Sequence, residues 1–306
     1  MSHLRFCTEY SIAVGEPLAG WGKHQAKNVL IRWPKGKWRH SLRIAGGMNA
    51  QVEAAIARVV EAGWRVNLID RKPHDGDSIR VFLMPEGLAF DLAPDDLAAF
   101  LDTVPRGAAS LARFAPQPLD RPLVLCCTHG KHDRCCAKWG FAVYKALAAE
   151  AAKRQDFDVW ECTHLGGCRL AAGVLTFPAM RKYGRLAPAD APKLLAAEAE
   201  GRPYLPCYRG ACHLDPAAQV AEVTALQALS PTAPHPPAQV TEIPSSGRTR
   251  RFIVKVADHL AEIACHPGSV RSYGACEDMR DAAPPDPAEI WHGDVLSLTR
   301  KPETQR

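Results

Sequence analysis

Two stretches of this chain repeat one another at a nearly constant spacing, and no other feature limits the fold as strongly. Val81-Phe82-Leu83-Met84-Pro85 is echoed by Val174-Leu175-Thr176-Phe177-Pro178, and Leu92-Ala93-Pro94-Asp95-Asp96 by Leu186-Ala187-Pro188-Ala189-Asp190, 93 and 94 residues later. An offset held across two landmarks argues for tandem duplication of one structural unit. In the first copy the pattern predicts strands over residues 27–33, 64–70 and 78–84, and helices over 49–62 and 93–101. The second copy predicts the same order, with strands over 121–127, 157–163, 173–177 and 183–186 and helices over 137–153 and 189–199.

The order β-α-β-β-α is that of a thioredoxin-like unit. The expected fold class is therefore α/β, with tandem thioredoxin-like units in residues 1–115 and 116–230, side by side. A Pro-rich stretch over 231–237 reads as a linker. Beyond it, strands over 239–243, 251–256 and 259–265 read as a small antiparallel meander, and the Pro-rich, charged tail over 281–306 is expected to wrap the surface or fray. A chain of 306 residues is long enough for about two domains with substantial cores.

Cysteine is distributed unevenly between the copies. The second copy and its flanks hold Cys126, Cys127, Cys135, Cys136, Cys162 and Cys168, and the first copy none. Two copies of one scaffold, one chemically silent, suggest a functional half beside a supporting half. The N-terminus lacks an apolar leader, and no window approaches 18 consecutive apolar residues. A cytoplasmic, reducing location is expected on that ground, so the 11 cysteines need an explanation other than a disulfide framework. The net charge of +5 is mild, and the short run Arg248, Arg250, Arg251 reads as a solvated strand start, so neither a nucleic-acid nor a membrane partner is expected.

The loop Cys126-Cys127-Thr128-His129-Gly130-Lys131-His132-Asp133-Arg134-Cys135-Cys136 lies between a predicted strand end and a predicted helix start. A helix N-terminus supports a thiolate at Cys136. Thr163-His164-Leu165-Gly166-Gly167-Cys168 follows, with two glycines that allow a tight turn and bring His164 and Cys168 toward one centre. Cys127, Cys136, His164 and Cys168 are thus candidate metal ligands. Three thiolates and an imidazole suit a structural zinc ion or a [2Fe–2S] cluster, and a wide first loop beside a compact second pair suits the cluster better. Cys126 and Cys135 are alternatives only in a different loop register. Cys162, Cys207, Cys212 and Cys265 read as packing residues, His129 and His132 as solvated loop residues, with His132 beside Asp133 and Arg134 suggesting a polar loop over the site, and Cys7 and Cys276 have no partner visible in the sequence.

With these motifs the chain resembles the sucrase/ferredoxin-like family, a branch of the thioredoxin-like [2Fe–2S] proteins. The resemblance rests on Gly15-Glu16-Pro17-Leu18-Ala19-Gly20, on Cys127-Thr128-His129 through Arg134-Cys135-Cys136, and on His164-Leu165-Gly166-Gly167. Tyr208-Arg209-Gly210, Gln219-Val220-Ala221-Glu222 and the late Cys276 extend it. It implies an electron carrier with one [2Fe–2S] cluster on two cysteines and two histidines spaced as His-x-Gly-Gly-His. That pattern carries over to Cys127, Cys136 and His164, whereas Cys168 stands where the second histidine would be. The implied site is Cys₃His, more negative than a bis-histidine one and of lower potential, with His164 left to couple a proton.

Other functions fit less of the sequence. A thiol–disulfide oxidoreductase would use C-x-x-C, which does not occur. A zinc-binding structural or sensing protein remains an alternative to the cluster. Glycoside hydrolysis would need carboxylates such as Asp95, Asp96 and Asp190, which helix capping explains. No nucleotide-binding glycine motif occurs, so a carrier of this kind needs a separate reductase and acceptor and works as a monomer or homodimer.

Overall fold

The structure, a computed structural model, describes residues 5–72, 76–230, 234–280 and 284–300. A short helix α1 (Cys7–Ala13) precedes β1 (Asn28–Arg32), α2 (Ala50–Glu61), β2 (Arg65–Asp70), β3 (Ile79–Met84), β4 (Leu88–Leu92) and α3 (Leu97–Thr103). After the two-residue β5 (Gln117–Pro118), the order recurs as β6 (Leu123–Cys127), α4 (Phe141–Arg154), β7 (Asp158–Cys162), β8 (Val174–Phe177), β9 (Arg181–Tyr183) and α5 (Ala191–Ala199). β10 (Tyr208–Ala211) and α6 (Pro216–Leu229) lead to β11 (Gln239–Ile243), β12 (Arg250–Val256), β13 (His259–Ser272) and β14 (Asp286–Arg300).

The first ten strands form one mixed sheet in the order β10-β9-β8-β6-β7-β2-β1-β3-β4-β5, and the last four form a separate antiparallel sheet in chain order. In each half the first strand runs parallel to the second and antiparallel to the third, and the third is antiparallel to the fourth. The halves join where β2 meets β7 antiparallel, through Ile69 opposite Cys162 and Asp70 opposite Glu161.

Strand alternation assigns side chains to the two faces of this sheet. On β1, Val29 and Ile31 pack under α2 and α3, while Leu30 faces the other way. On β6, Val124 and Cys126 pack with α4 and α5, while Leu123, Leu125 and Cys127 join Leu30 in a third core. Helix α2 starts at Asn49, whose side chain accepts the Val52 N–H at 2.9 Å, and buries Val52, Ala55, Ile56 and Val59. Helix α6 starts at Asp215, which accepts the Ala217 and Ala218 N–H groups, with Pro216 in its first turn. It is buried nearly all round because the small sheet covers the side away from β10.

Three sequence expectations shift. The hairpin strand expected over 183–186 is β9, ending at Tyr183, because Gly184 turns the chain to give its N–H to Cys207. The first copy also has a fourth strand, β4, which its short Ala-Phe-Asp core had not revealed. Of the expected tail, residues 281–283 and 301–306 lie outside the described residues, and Asp286–Arg300 form β14, paired with β13 along its length. Of the expected linker, residues 231–233 lie outside the described residues, and the rest has no regular structure.

The chain before β1 packs on the second half. Thr8 Oγ1 donates to the Cys168 carbonyl at 3.0 Å, Gly20 N–H to Arg209 O at 3.2 Å, and His24 N–H to Cys212 O at 3.2 Å. Gly210 (φ +114°) allows this approach, since a Cβ there would lie 2.5 Å from Gln219 Cβ. Gln219 in turn accepts the Gly22 N–H and donates to Ala211 O, which joins the sequence motifs around Gly20, Gly210 and Gln219 in one structural knot. Among the described residues no helix is long and apolar enough to cross a membrane.

Candidate metal centre

The two adjacent cysteines ending β6 point to opposite faces. Cys126 lies under α4 with its sulfur 3.4 Å from Gly140 O, whereas Cys127 emerges on the face that α1 covers. The following loop is tied down by Thr128 Oγ1, which donates to Glu161 at 2.7 Å, and by Asp133, which accepts the Cys135 N–H at 2.7 Å. Cys136 opens a single π turn, Cys136–Gly140, ahead of α4. Such turns re-aim side chains, and here the wide turn seats Gly140 against the Cys127 carbonyl.

The second loop follows β7. Thr163 Oγ1 accepts the Leu68 N–H at 3.0 Å. The His164 carbonyl accepts from Arg65 Nη2 at 2.6 Å and from Asn67 Nδ2 at 3.1 Å. Gly166 and Gly167 both have positive φ, +94° and +81°, which folds the chain back so that Cys168 Sγ lies 3.2 Å from His164 Nδ1. Gly167 also lies against Arg209, where a Cβ would come 2.8 Å from Nη2.

All four candidate ligands meet here. The donor atoms of Cys127, Cys136 and His164 lie within 4.8 Å of one another, and Cys136 Sγ lies 3.9 Å from Cys168 Sγ. His132 joins them, since its donor atom, with those of His164 and Cys168, forms a second set within 4.8 Å. The reading of His132 and His129 as solvated loop residues is therefore corrected. His132 is half-buried with its ring 4.3 Å from that of His164, and its Nδ1 is buried with no hydrogen-bond partner among the described residues. His129 is buried: its Nε2 meets Arg39 O at 2.6 Å and its Nδ1 accepts the His164 N–H at 3.4 Å. With both nitrogens engaged, His129 positions the second loop and is not free to bind a metal.

The electrostatics suit a cation. The Cys136 thiol hydrogen-bonds the Cys168 sulfur and, against the opposing effect of burial, holds Cys168 down at about 3. The same thiol holds Cys127 well below the usual cysteine range, while its own value is pushed up, first by Cys127. Burial works against charge on His164, but the Cys127 and Cys168 sulfurs raise it to about 9. The protons on Cys136 and His164 are those a metal ion would displace.

Buried cations ring the same loop. Lys182 Nζ donates to Leu165 O at 2.7 Å, and Arg209 Nη1 to Gly166 O at 3.2 Å. Burial drives Lys182 well below the usual lysine range and Arg209 down to about 9, and it lowers Arg65 as well. None of the three forms an ion pair with a carboxylate among the described residues. Burial thus disfavours the charged form of all three, and the site sulfurs oppose that effect, Cys127 at Lys182 and Arg65 and Cys168 at Arg209.

Of the remaining cysteines, Cys162, Cys207, Cys212 and Cys265 are enclosed in the cores. Cys135 is not part of this site. It faces Cys7 and Cys276, a grouping the sequence could not show because its members come from distant parts of the chain.

The sequence pattern of the sucrase/ferredoxin-like family (Suc_Fer-like) matches residues 18–210. Among solved structures, the chain is similar to a thioredoxin-like [2Fe–2S] ferredoxin from Aquifex aeolicus, at 15% identity over 29% of this chain and 89% of that one, with a TM-score of 0.27. A second structure of the wild-type thioredoxin-like [2Fe–2S] ferredoxin from that organism aligns at 16% identity over 29% and 95%, with a TM-score of 0.26. No curated protein matches the sequence.

Proposed function

The chain belongs to the sucrase/ferredoxin-like family, and from that premise we propose that it is an electron carrier holding one [2Fe–2S] cluster on Cys127, Cys136, His164 and Cys168. One observation supports this above others: three sulfurs and an imidazole converge from the loops after β6 and β7, ringed by buried basic side chains that form no ion pair with a carboxylate among the described residues. The donor chemistry fits the group, since three thiolates and one imidazole are ligands that iron in such clusters accepts. When bound, the cluster supplies one-electron redox chemistry.

The chain's own residues do the rest. Helix α1 covers the site, and Arg65, Lys182 and Arg209 offset negative charge, which favours the reduced state. His132 and the exposed His40, their rings 5.0 Å apart, lie between His164 and solvent and provide a route for a proton. We read the two halves, residues 1–115 and 116–230, as tandem thioredoxin-like units, the second carrying the cluster, with 231–306 as linker, small sheet and tail. The electrons come from a separate reductase and pass to a separate acceptor.

The test is anaerobic purification followed by iron and acid-labile sulfide counts and EPR of the dithionite-reduced protein. Two irons and two sulfides per chain, lost together in Cys136→Ser, are expected. A second reading, a single zinc ion at the same place, is favoured by the short Cys136–Cys168 spacing of 3.9 Å, close to the roughly 3.8 Å between two sulfurs on one tetrahedral zinc. A colourless protein with zinc that is lost in Cys136→Ser would establish that reading and overturn the cluster.

A further inference from the structure

A second group of sulfurs lies beside the first and shares no atom with it. Cys7, Cys135 and Cys276 are all buried, with Sγ–Sγ distances of 3.3 Å (Cys7–Cys135), 3.2 Å (Cys135–Cys276) and 3.6 Å (Cys276–Cys7). Asp133 stands next to them, its Oδ2 4.0 Å from Cys7 Sγ. All four donor atoms lie within 4.8 Å of one another.

We propose that Cys7, Cys135, Cys276 and Asp133 form a structural site for one divalent thiophilic cation, zinc, distinct from the redox centre. Thiols are weak hydrogen-bond donors, and three of them meeting in a protein interior need a stronger reason to converge. Zinc supplies one: bonds of about 2.3 Å to tetrahedral sulfurs set those sulfurs about 3.8 Å apart. The observed triangle needs to open by only a few tenths of an ångström per atom. On binding, the thiols release their protons and the sulfurs bond the ion, so no oxidant or reductant enters.

The polar surroundings hold the donors in place. Asp133 Oδ1 accepts the Cys135 N–H at 2.7 Å and Oδ2 accepts the Cys276 N–H at 2.8 Å, which fixes the carboxylate while leaving lone pairs for a metal. The Cys7 N–H is directed at the Cys276 sulfur and the Thr8 N–H at the Cys135 sulfur. With its ligands deprotonated, a Cys₃Asp zinc site is enclosed and coordinatively full, the pattern of a structural centre rather than a catalytic one.

The position explains what such a site does. Cys7 begins α1, Cys276 follows β13, and Cys135 immediately precedes the redox ligand Cys136. One ion therefore clasps α1 and the segment after β13 onto the helix start that aims Cys136. Thr8, beside Cys7, holds the Cys168 carbonyl, so the clasp also supports the second loop.

The full chain, expressed in medium containing iron and zinc, is analysed for both metals, alone and as Cys7→Ser, Cys276→Ser and Cys136→Ser. The expected result is one zinc per chain, lost in Cys7→Ser and Cys276→Ser while iron and visible absorption persist, and retained in Cys136→Ser as the iron is lost. Zinc X-ray absorption of the wild-type protein should show three sulfurs and one oxygen, which decides the matter should either serine variant fail to fold. No zinc at all, zinc that survives in both Cys7→Ser and Cys276→Ser, iron in place of zinc at these residues, or a disulfide among the three cysteines would each overturn the proposal. If the redox reading fails because zinc occupies that centre too, two zincs are found per chain, one lost in Cys136→Ser and the other in Cys7→Ser; if that centre holds no metal, iron is absent and the one zinc is still lost in Cys7→Ser.

Discussion

Gly140 is where fold and site press on one another hardest, and Gly140→Ala tests that directly. Alanine is the better helix former by about 1 kcal/mol, and the backbone there is ordinary right-handed helix, φ −63°, so local propensity favours the change. Packing opposes it. A Cβ at Gly140 falls inside contact distance of the Cys127 carbonyl oxygen, with Cys127 C at 3.1 Å and Thr128 Cα at 3.5 Å behind it. Because the obstacle is backbone at a strand end, the start of α4 must move by at least about 1 Å to restore ordinary contact.

Overpacking of this kind costs about 1–3 kcal/mol. Against backbone the upper end applies, which leaves a net loss of about 2 kcal/mol after the helix gain and a fall of a few degrees in melting temperature. The effect on the site is larger, because Cys127 and Cys136 sit on either side of the displaced contact. A shift of about 1 Å far exceeds the roughly 0.2 Å within which ligand distances must fall. Metal content should therefore drop more steeply than stability. Gly36→Ala, where a Cβ meets nothing within 4 Å, is the control. Calorimetry and iron analysis read the two effects, and a Gly140→Ala protein that keeps wild-type iron and melts with the wild type would refute the reasoning.

Cys168→His replaces a thiolate by a neutral imidazole and should raise the reduction potential measured by EPR-monitored titration; an unchanged potential would mean that Cys168 is not a ligand. His129→Ala removes the acceptor of the His164 N–H and should weaken metal retention by about 10–100-fold in chelator competition while leaving the circular dichroism intact. Burial pushes the Glu222 carboxyl up to about 7, although it accepts the Ala211 N–H and bonds Tyr208. Its folded value lies above its unfolded one, so its contribution to stability is complete below about pH 4.5 and is lost as the pH rises through about 7, to a total of about 3 kcal/mol. Glu222→Gln should therefore gain on the wild type in urea unfolding as the pH is raised from about 5 to about 8, and equal midpoints at both ends of that range would contradict this.

That the four candidate ligands lie near one another was legible in the sequence for a definite reason. Each lies at the end of a strand or the start of a helix, and strand alternation together with the glycine pair decides where it points. Cys127 rather than Cys126 follows from period two along β6, and Cys168 from the left-handed Gly166 and Gly167. The residues that were not legible lack such local grammar. Cys7 and Cys276 lie 269 positions apart and meet only through the packing of α1 and the exit of β13. The one local hint was the surplus of Cys135 beside Cys136, since neighbouring residues rarely aim at one ion. His132 was obscured for a different reason: a histidine flanked by Lys131 and Asp133 looks like solvated loop until its ring contacts with His129 and His164 are seen. The tail was misread because prolines and charges mark edge strands as well as loops, and β14 is an edge strand.

The first half of the large sheet, residues 1–115, acts on the candidate site without contributing one of its four candidate ligands. Arg65 and Asn67 of β2 hold the His164 carbonyl, Arg39 supplies the carbonyl that fixes the His129 tautomer, and Lys35 pairs with Glu161 beneath the loop that follows Cys127. Each of these groups belongs to the first half and acts on the second across the β2–β7 junction. That junction also occupies the β7 edge, which would otherwise lie open beside the second ligand loop, and leaves β5 and β10 as the free edges of the large sheet. A second copy of the chain could not pair at β7 without displacing the residues that aim His164. The neighbouring unit is covalently in place, and from there it orients the loop that carries His164 without contributing a candidate ligand to it.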